Sequence, residues 1–177
     1  YVAAKIQSTS PGGGTYKLSE RWVQEFKTGD LRKTQNVRTG TTWIGNSDRG
    51  NAFNTRHTLI NGGNGLSGTY TYASTTAGAF ELPLASTYEE NALMKAEALI
   101  NTGQVNQGLA LVDAVRTAMG AGLAAVANTG LTQAQAQEEL RRERRIALAF
   151  RGLSFYDARR YKISEPVANG GGRTGCV

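Results

Sequence analysis

The fold of this chain is decided by residues 86–162, which read STYEENALMKAEALINTGQVNQGLALVDAVRTAMG (86–120), a loop, and LTQAQAQEELRRERRIALAFRGLSFYDARRYK (131–162). Apolar residues recur here every three to four positions, which is the spacing of one face of an α-helix. Gly103, Gly120 and Gly152 fall where that spacing breaks, and glycine commonly follows the end of a helix. The pattern predicts four helices in two antiparallel pairs.

Two capping boxes mark helix starts, because in each a Ser or Thr is followed three residues later by Glu or Gln. Ser86–Glu89 is expected to open the first helix, and Thr132–Gln135 is expected to open the third. Between them, apolar residues at helical spacing predict the second helix from about residue 104 to residue 119.

The fourth helix is expected to be short. Ser154 is placed to cap it, and Asp157 then occupies its third position. Phe155 and Tyr156 are expected to supply its apolar contacts, and Asp157 a structural charge. Residues 163–177 are rich in glycine and predict a truncated, irregular tail.

Residues 1–85 are rich in Gly, Thr and Asn and predict a loop-rich segment with one short helix at 19–28. Weak strand alternation occurs at 41–44 and at 69–72. The segment has too few apolar residues for a core of its own, so we expect it to lie across the helices of 86–162.

Composition excludes several classes of site. The net charge of +6 is moderate, and by itself it does not indicate nucleic acid. One cysteine, Cys176, cannot form an internal disulfide, and one histidine, His57, cannot form a His-rich metal site. No apolar run is long enough to span a bilayer. Both ends look cut, so we expect a fragment of a longer protein.

Charged residues on the apolar stripes are predicted to pair structurally. Folding the first helix pair about its turn places Arg116 opposite Glu90, which predicts an ion pair between them. Glu97 must then find its partner on a third helix. Glu97 and Glu143 could meet across helices, but buried structural pairing of each is the favoured interpretation.

The basic run at residues 141–145, RRERR, is interpreted as a salt-bridged helix face. Successive residues of a helix are rotated by about 100°, so these arginines cannot share one face as a phosphate-binding patch requires. Glu138 and Glu139 lie three and four residues before them and can pair with them. We therefore expect no nucleic-acid partner.

Trp43, Tyr70 and Tyr72 are the aromatic residues of the loop-rich segment that could stack on a sugar or peptide. The alternative is that they anchor this segment on the helices, which is the commoner use of aromatic area. No nucleophile–base pair or close pair of carboxylates can be assembled from the sequence, so we expect neither catalytic residues nor a cofactor.

Four segments resemble the SusD/RagB family, in the family's order and spacing. Residues 90–98, ENALMKAEA, resemble its "LMRAEA" helix, and residues 108–116 resemble the helix that follows. Residues 143–160, ERRIALAFRGLSFYDARR, resemble the long signature "ERRIELAFEGHRFWDLRR". Residues 19–32, SERWVQEFKTGDLR, resemble the segment placed before an "sDpR" element.

The chain departs from the long signature at several positions, of which two pairs change the charge or polarity. Ala147 and Arg151 replace glutamates, and Leu153-Ser154 replaces His-Arg. Two missing carboxylates imply that the local ion pairs differ from those of the family. The matched motifs belong to the scaffold, so no ligand-binding residue is carried over to this chain.

The resemblance implies an all-α fold of tetratricopeptide-like helix pairs with long loops, of which this chain is a C-terminal-half fragment. Family members are surface-exposed lipoproteins of the bacterial outer membrane that bind glycans or other oligomeric nutrients without catalysis. They deliver these to a SusC-like TonB-dependent transporter, and an N-terminal lipid outside this chain would anchor them. The alternative is a helical-repeat scaffold that binds a protein or peptide.

Overall fold

The protein is described here from a computed structural model, which describes residues 17–44, 55–59, 86–149 and 151–163. Within these residues the chain forms six helices and three strands. In chain order they are β1 (Lys17–Leu18), α1 (Glu20–Val23), α2 (Leu31–Asn36), β2 (Val37–Ile44), β3 (Thr55–Leu59), α3 (Tyr88–Asn101), α4 (Val105–Ala118), α5 (Gln133–Ala147) and α6 (Leu153–Arg160). None of these helices is long and apolar enough to cross a membrane.

Three helices, α3, α4 and α5, form the main hydrophobic core. A three-residue turn joins α3 to α4, and α5 packs against both of them. The buried apolar residues fall at helical spacing on the facing sides of the three helices, as an amphipathic pattern requires. They include Leu93, Ala96, Ile100, Leu109, Val112, Val115, Leu140 and Ala147.

Gly108 lets α3 and α4 approach closely. A Cβ atom at this position would lie 2.6 Å from Cγ1 of Ile100 and 2.8 Å from the backbone oxygen of Ala96. Both distances are shorter than van der Waals contact, so a side chain here would force the two helices apart.

The N-terminal region is built on a three-stranded antiparallel sheet with the order β1-β3-β2. A second hydrophobic cluster joins this region to the end of α5; its members are Leu18, Val23, Phe26, Val37, Ile146 and Ala149. The indole Nε1 of Trp22 donates a 2.9 Å hydrogen bond to the backbone oxygen of Arg145. The N-terminal region therefore packs on α5.

The predicted helical fold class is confirmed, and the differences lie in the N-terminal region. The expected helix at 19–28 does follow Ser19 as its N-cap, but it ends at Val23, and α2 was not predicted. The expected strand at 41–44 is the end of β2, whereas β3 was not predicted. The expected strand at 69–72 lies outside the described residues.

One of the two predicted capping boxes is confirmed. Thr132 accepts a hydrogen bond from the backbone N–H of Gln135, and the Gln135 side chain accepts one from the backbone N–H of Thr132. The box at Ser86–Glu89 is wrong, because α3 starts after Thr87, whose side chain makes no capping bond.

Helix α6 also begins differently from the prediction. Its N-cap is Gly152, with a left-handed φ of 74°, and not Ser154. No residue of α6 is buried. The expected apolar contacts of Phe155 and Tyr156 are therefore wrong, since both side chains are exposed.

Candidate functional site

A buried network of alternating charges is centred on Glu143 of α5. Arg32 of α2 donates two hydrogen bonds to its carboxylate, and the Nε of Arg116 on α4 donates a third at 2.9 Å. Arg32 also binds Asp30, with 2.8 Å between Nη2 and Oδ2. The side chains of Asp30, Arg32 and Glu143 are fully buried. Each charge thus faces an opposite charge at hydrogen-bond distance, as burial requires.

The same network continues from Arg116 to the edge of the protein. Nη2 of Arg116 donates to Oε2 of Glu139 at 2.8 Å, and Nζ of Lys27 lies 2.6 Å from the same oxygen. Lys27 and Glu139 are partly exposed, so this end of the network meets solvent. The network therefore links the N-terminal region to both α4 and α5.

The pairing within this network shifts the pKa values of Arg32 and Glu139. Burial alone lowers the pKa of Arg32, but hydrogen bonds from its guanidinium to Asp30 and Glu143 outweigh burial and raise it above its ordinary value. Burial likewise raises the pKa of Glu139, and hydrogen bonds from Lys27 and Arg116 outweigh it, so the net pKa is lowered. Arg32 and Glu139 are therefore held in their charged forms.

The predicted ion pair between Glu90 and Arg116 is wrong. Arg116 contacts Glu143, Glu139 and, at 4.0 Å, Asp113. The prediction of Glu90 was based on the register of α3 and α4 alone. In the structure, two carboxylates of α5 bind the guanidinium of Arg116 instead. Arg116 thus pairs across a different helix interface from the expected one.

A second charged cluster attaches α6 to α3 and α5. Asp157 accepts two hydrogen bonds from Arg144, at 2.7 and 3.1 Å, and one from Arg160 at 2.8 Å. Arg160 also donates to Glu97 of α3, and the hydroxyl of Tyr161 donates to the same carboxylate at 2.8 Å. Glu97 thus pairs outside the first helix pair, as expected. Its partners are Arg160 of α6 and Tyr161, and it does not meet Glu143.

Two groups of this second cluster, Asp157 and Tyr161, are each held in one protonation state. Burial raises the pKa of Asp157, but hydrogen bonds from Arg144 and Arg160 outweigh burial and lower it overall. Burial and the hydrogen bond to Glu97 raise the pKa of Tyr161, which keeps its hydroxyl protonated. The guanidinium of Arg141 lies 4.7 Å from the Tyr161 ring centroid, within the range of a cation–π contact.

The outer side of α6 carries an exposed aromatic surface, which we define as the α6 face: Phe155, Tyr156 and Arg159. Phe155 is 64% exposed and Tyr156 is 69% exposed. Their rings meet edge to face with centroids 5.6 Å apart. The guanidinium of Arg159 lies 5.8 Å from the Phe155 ring centroid. Exposed apolar groups of this kind mark interaction surfaces more often than scattered single residues do.

The comparisons with known proteins point to one family. The sequence model of the SusD family matches residues 3–172. The chain belongs to the SusD family. A search of curated proteins found no match.

A solved structure also resembles this SusD-family chain. It is the crystal structure of a SusD superfamily protein from Bacteroides vulgatus ATCC 8482, with a TM-score of 0.59 and 20% sequence identity. The match covers 89% of this chain and 36% of that chain. At this identity the likeness concerns the fold, and the chain spans about a third of the length of that relative.

The SusD-family motifs of this chain meet in the buried network. Asp30 and Arg32 end the "GDLR" segment, Arg116 ends the second matched segment, and Glu143 begins the long signature. Segments far apart in sequence are thus joined by direct contacts between their charged residues. The network thus joins these motifs into one scaffold.

The two departures from the family glutamates have local consequences. Ala147 is buried in the main core, where a glutamate would need a partner. The guanidinium of Arg151 lies 3.8 Å from Glu89, and it also donates to the hydroxyl of Thr87. Arg151 thus contacts Thr87 and Glu89, two residues of the stretch that was predicted to form a capping box at the start of α3.

The aromatic residues predicted to bind ligand are not brought together in the described residues. Trp43 lies in β2, and Tyr70 and Tyr72 lie outside the described residues. Sequence reasoning also missed the α6 face, because Phe155 and Tyr156 read as ordinary apolar helix residues. The sequence offers no local signal of this exposure, because Leu153 and Ala158 lie at helical spacing from the two aromatic residues.

Proposed function

We propose that this SusD-family protein binds a glycan or another oligomeric nutrient at the bacterial cell surface without catalysing a reaction. The observation that carries this proposal is the family match over residues 3–172. The structure supports a binding role in one further respect. Its buried charges are paired with one another, whereas the aromatic side chains of the α6 face are open to solvent.

The proposed ligand contacts are aromatic. Trp43, Tyr70 and Tyr72 are proposed to stack on ligand in the loop-rich segment, 1–85. Residues 86–162 are proposed to serve as the helical-repeat scaffold. Aromatic rings offer a large apolar face at a small cost in conformational entropy, and a sugar ring has a matching apolar face of C–H groups.

The nutrient is proposed to pass to a SusC-like TonB-dependent transporter in the outer membrane. The protein would be held there by a lipid on an N-terminal cysteine encoded upstream of this chain. Sequencing the surrounding genes is expected to show both that cysteine codon and a neighbouring transporter gene. A neighbourhood with neither of them would contradict the delivery role and leave ligand binding to be judged separately.

Binding is tested by isothermal titration calorimetry of the 177-residue chain against a panel of oligosaccharides and peptides. The expected result is saturable heat with at least one oligosaccharide and an unchanged oligosaccharide mass after incubation. Replacing Trp43, Tyr70 and Tyr72 together with alanine is expected to weaken that binding. Saturation by peptides alone would favour a helical-repeat scaffold with a protein partner, and cleavage of the sugar would contradict a non-catalytic role.

A further inference from the structure

We propose that the α6 face binds an acidic oligosaccharide, with Phe155 and Tyr156 stacking on sugar rings and Arg159 pairing with a uronate or sulfate group. This inference rests on the proposed function and names the chemical class of its ligand. It concerns a surface that lies apart from Trp43, Tyr70 and Tyr72 in the sequence. Three observations carry it: exposure, spacing and charge.

Exposure comes first. Phe155 and Tyr156 are about two-thirds exposed, although aromatic side chains usually contribute to cores or interfaces. Other residues attach α6 to the protein. Asp157 pairs with Arg144, Arg160 pairs with Glu97, and the partly buried Leu153 packs against the main core. The aromatic rings are therefore not needed to attach α6, and their apolar area is available to a ligand.

Spacing brings the three side chains of the α6 face together. Phe155 and Arg159 are four residues apart, and Tyr156 and Arg159 are three apart, so all three lie on neighbouring positions of one helix surface. The edge-to-face contact of the rings and the guanidinium beside Phe155 describe the same arrangement. A stacking platform thus stands directly beside a cation.

Charge decides which class of sugar fits this platform. Residues 153–163 carry three cations, Arg159, Arg160 and Lys162, and a single carboxylate, Asp157. Arg160 and Arg144 already donate hydrogen bonds to that carboxylate, and Arg160 also donates one to the carboxylate of Glu97. Among the described residues, Arg159 has a ring contact but no carboxylate partner, and Lys162 is exposed two residues beyond α6.

An unpaired guanidinium can form two parallel hydrogen bonds with a carboxylate or sulfate. A neutral sugar offers only hydroxyl groups in the same place, and these give weaker bonds. The net charge of +6 acts in the same direction, because it attracts an anionic polymer toward the surface. An acidic ligand is therefore favoured over a neutral ligand of the same shape.

The experiment compares two matched ligands. The 177-residue chain is titrated with oligogalacturonate and with the same oligomer after its carboxylates have been reduced to alcohols. The acidic form is expected to bind about tenfold or more tightly at low salt, and this preference is expected to shrink as salt is added. Arg159→Gln is expected to remove the preference, and Phe155→Ala is expected to weaken both ligands.

Arg142→Gln is the matched control. Arg142 is a partly exposed arginine of α5 that lies 3.7 Å from Glu139 and outside the α6 face. Its replacement removes the same charge from the protein but is expected to leave the preference for the acidic form intact. Circular dichroism of all the variants checks that the fold is retained.

Each other outcome overturns a distinct statement. Equal binding of the two oligomers, with Arg159→Gln behaving as the original protein, overturns the inference and leaves the proposed function standing. Binding of a poly-glutamate peptide that is as tight and as dependent on Arg159 overturns the choice of a sugar. Self-association that Phe155→Ala abolishes assigns the α6 face to a second copy of the chain. Failure to bind any sugar contradicts both the proposed function and the inference.

Discussion

Glu143 accepts hydrogen bonds from two arginines that reach it from different parts of the chain, Arg32 and Arg116. Arg32 is separated from it by 111 positions. A buried carboxylate needs such partners, because its transfer from water costs several kcal/mol before pairing. Glu143 therefore couples the N-terminal region to the three-helix core through charge and not through apolar area alone.

Replacing Glu143 with glutamine is expected to destabilise the protein by about 3–5 kcal/mol, because it leaves two buried guanidiniums short of one negative charge. Urea unfolding followed by circular dichroism measures the change. The control is Glu138→Gln, which removes a carboxylate that is 68% exposed and paired with Arg141. The control is expected to change stability by less than about 1 kcal/mol. Equal losses in the two variants would contradict the importance of the buried network.

Glu139 gives the network a dependence on pH. Its pKa in the folded protein is lowered by Lys27 and Arg116. Its charged form therefore stabilises the fold fully above the ordinary glutamate pKa of about 4.3, and this contribution is lost as pH falls through the lowered folded value. Glu139→Gln is expected to be less stable than the original protein at pH 7, and the difference is expected to shrink on acidification. Urea unfolding at several pH values between about 7 and 3 measures it; a constant difference would contradict the lowered pKa.

At the scale of elements, the sequence predicts what depends on near neighbours. The start of α5 was predicted to the residue, because Thr132 and Gln135 cap it with bonds that span three positions. The box at Ser86–Glu89 has the same spacing but fails, since α3 starts one residue later, after Thr87, whose hydroxyl accepts a bond from Arg151, 64 positions away. Strand β3 was missed because its pairing with β1 and β2 is equally non-local. Local spacing cannot report such contacts.

The close packing of α3 against α4 depends on the absence of a Cβ atom at Gly108. In an open helix position, Gly→Ala stabilises by about 1 kcal/mol through helix propensity. At Gly108 the sign is expected to reverse, with a loss of roughly 1–3 kcal/mol, because the new methyl group overlaps Ile100 and the Ala96 carbonyl. Thermal unfolding measures the change. Ala110→Gly, at an exposed position of the same helix, calibrates the propensity effect; a stabilised Gly108→Ala variant would contradict the close approach.

The whole molecule divides into a core held by apolar packing and a helix attached by charged contacts and one partly buried leucine. Helices α3, α4 and α5 bury the main hydrophobic cluster. Helix α6 fully buries no residue; its Asp157 and Arg160 make the charged contacts, and its Leu153 packs against that cluster. The sequence predicted the helices of both parts, because both have helical spacing. It could not predict this difference in attachment, because spacing reports the apolar pattern within a helix but not what that helix meets.

This division predicts unequal local stability. Amides of α6 are expected to exchange with solvent faster than those of α4, since local opening of α6 exposes Leu153, which is only partly buried, whereas opening of α4 exposes fully buried residues of the main core. Asp157→Asn is expected to speed the exchange of α6 further, because Arg144 and Arg160 lose their shared carboxylate. Hydrogen exchange read by mass spectrometry measures both helices in one experiment. If α4 amides were to speed up as much as those of α6, then α6 would not open as a separate unit. Its charged attachment would instead contribute to the stability of the whole fold.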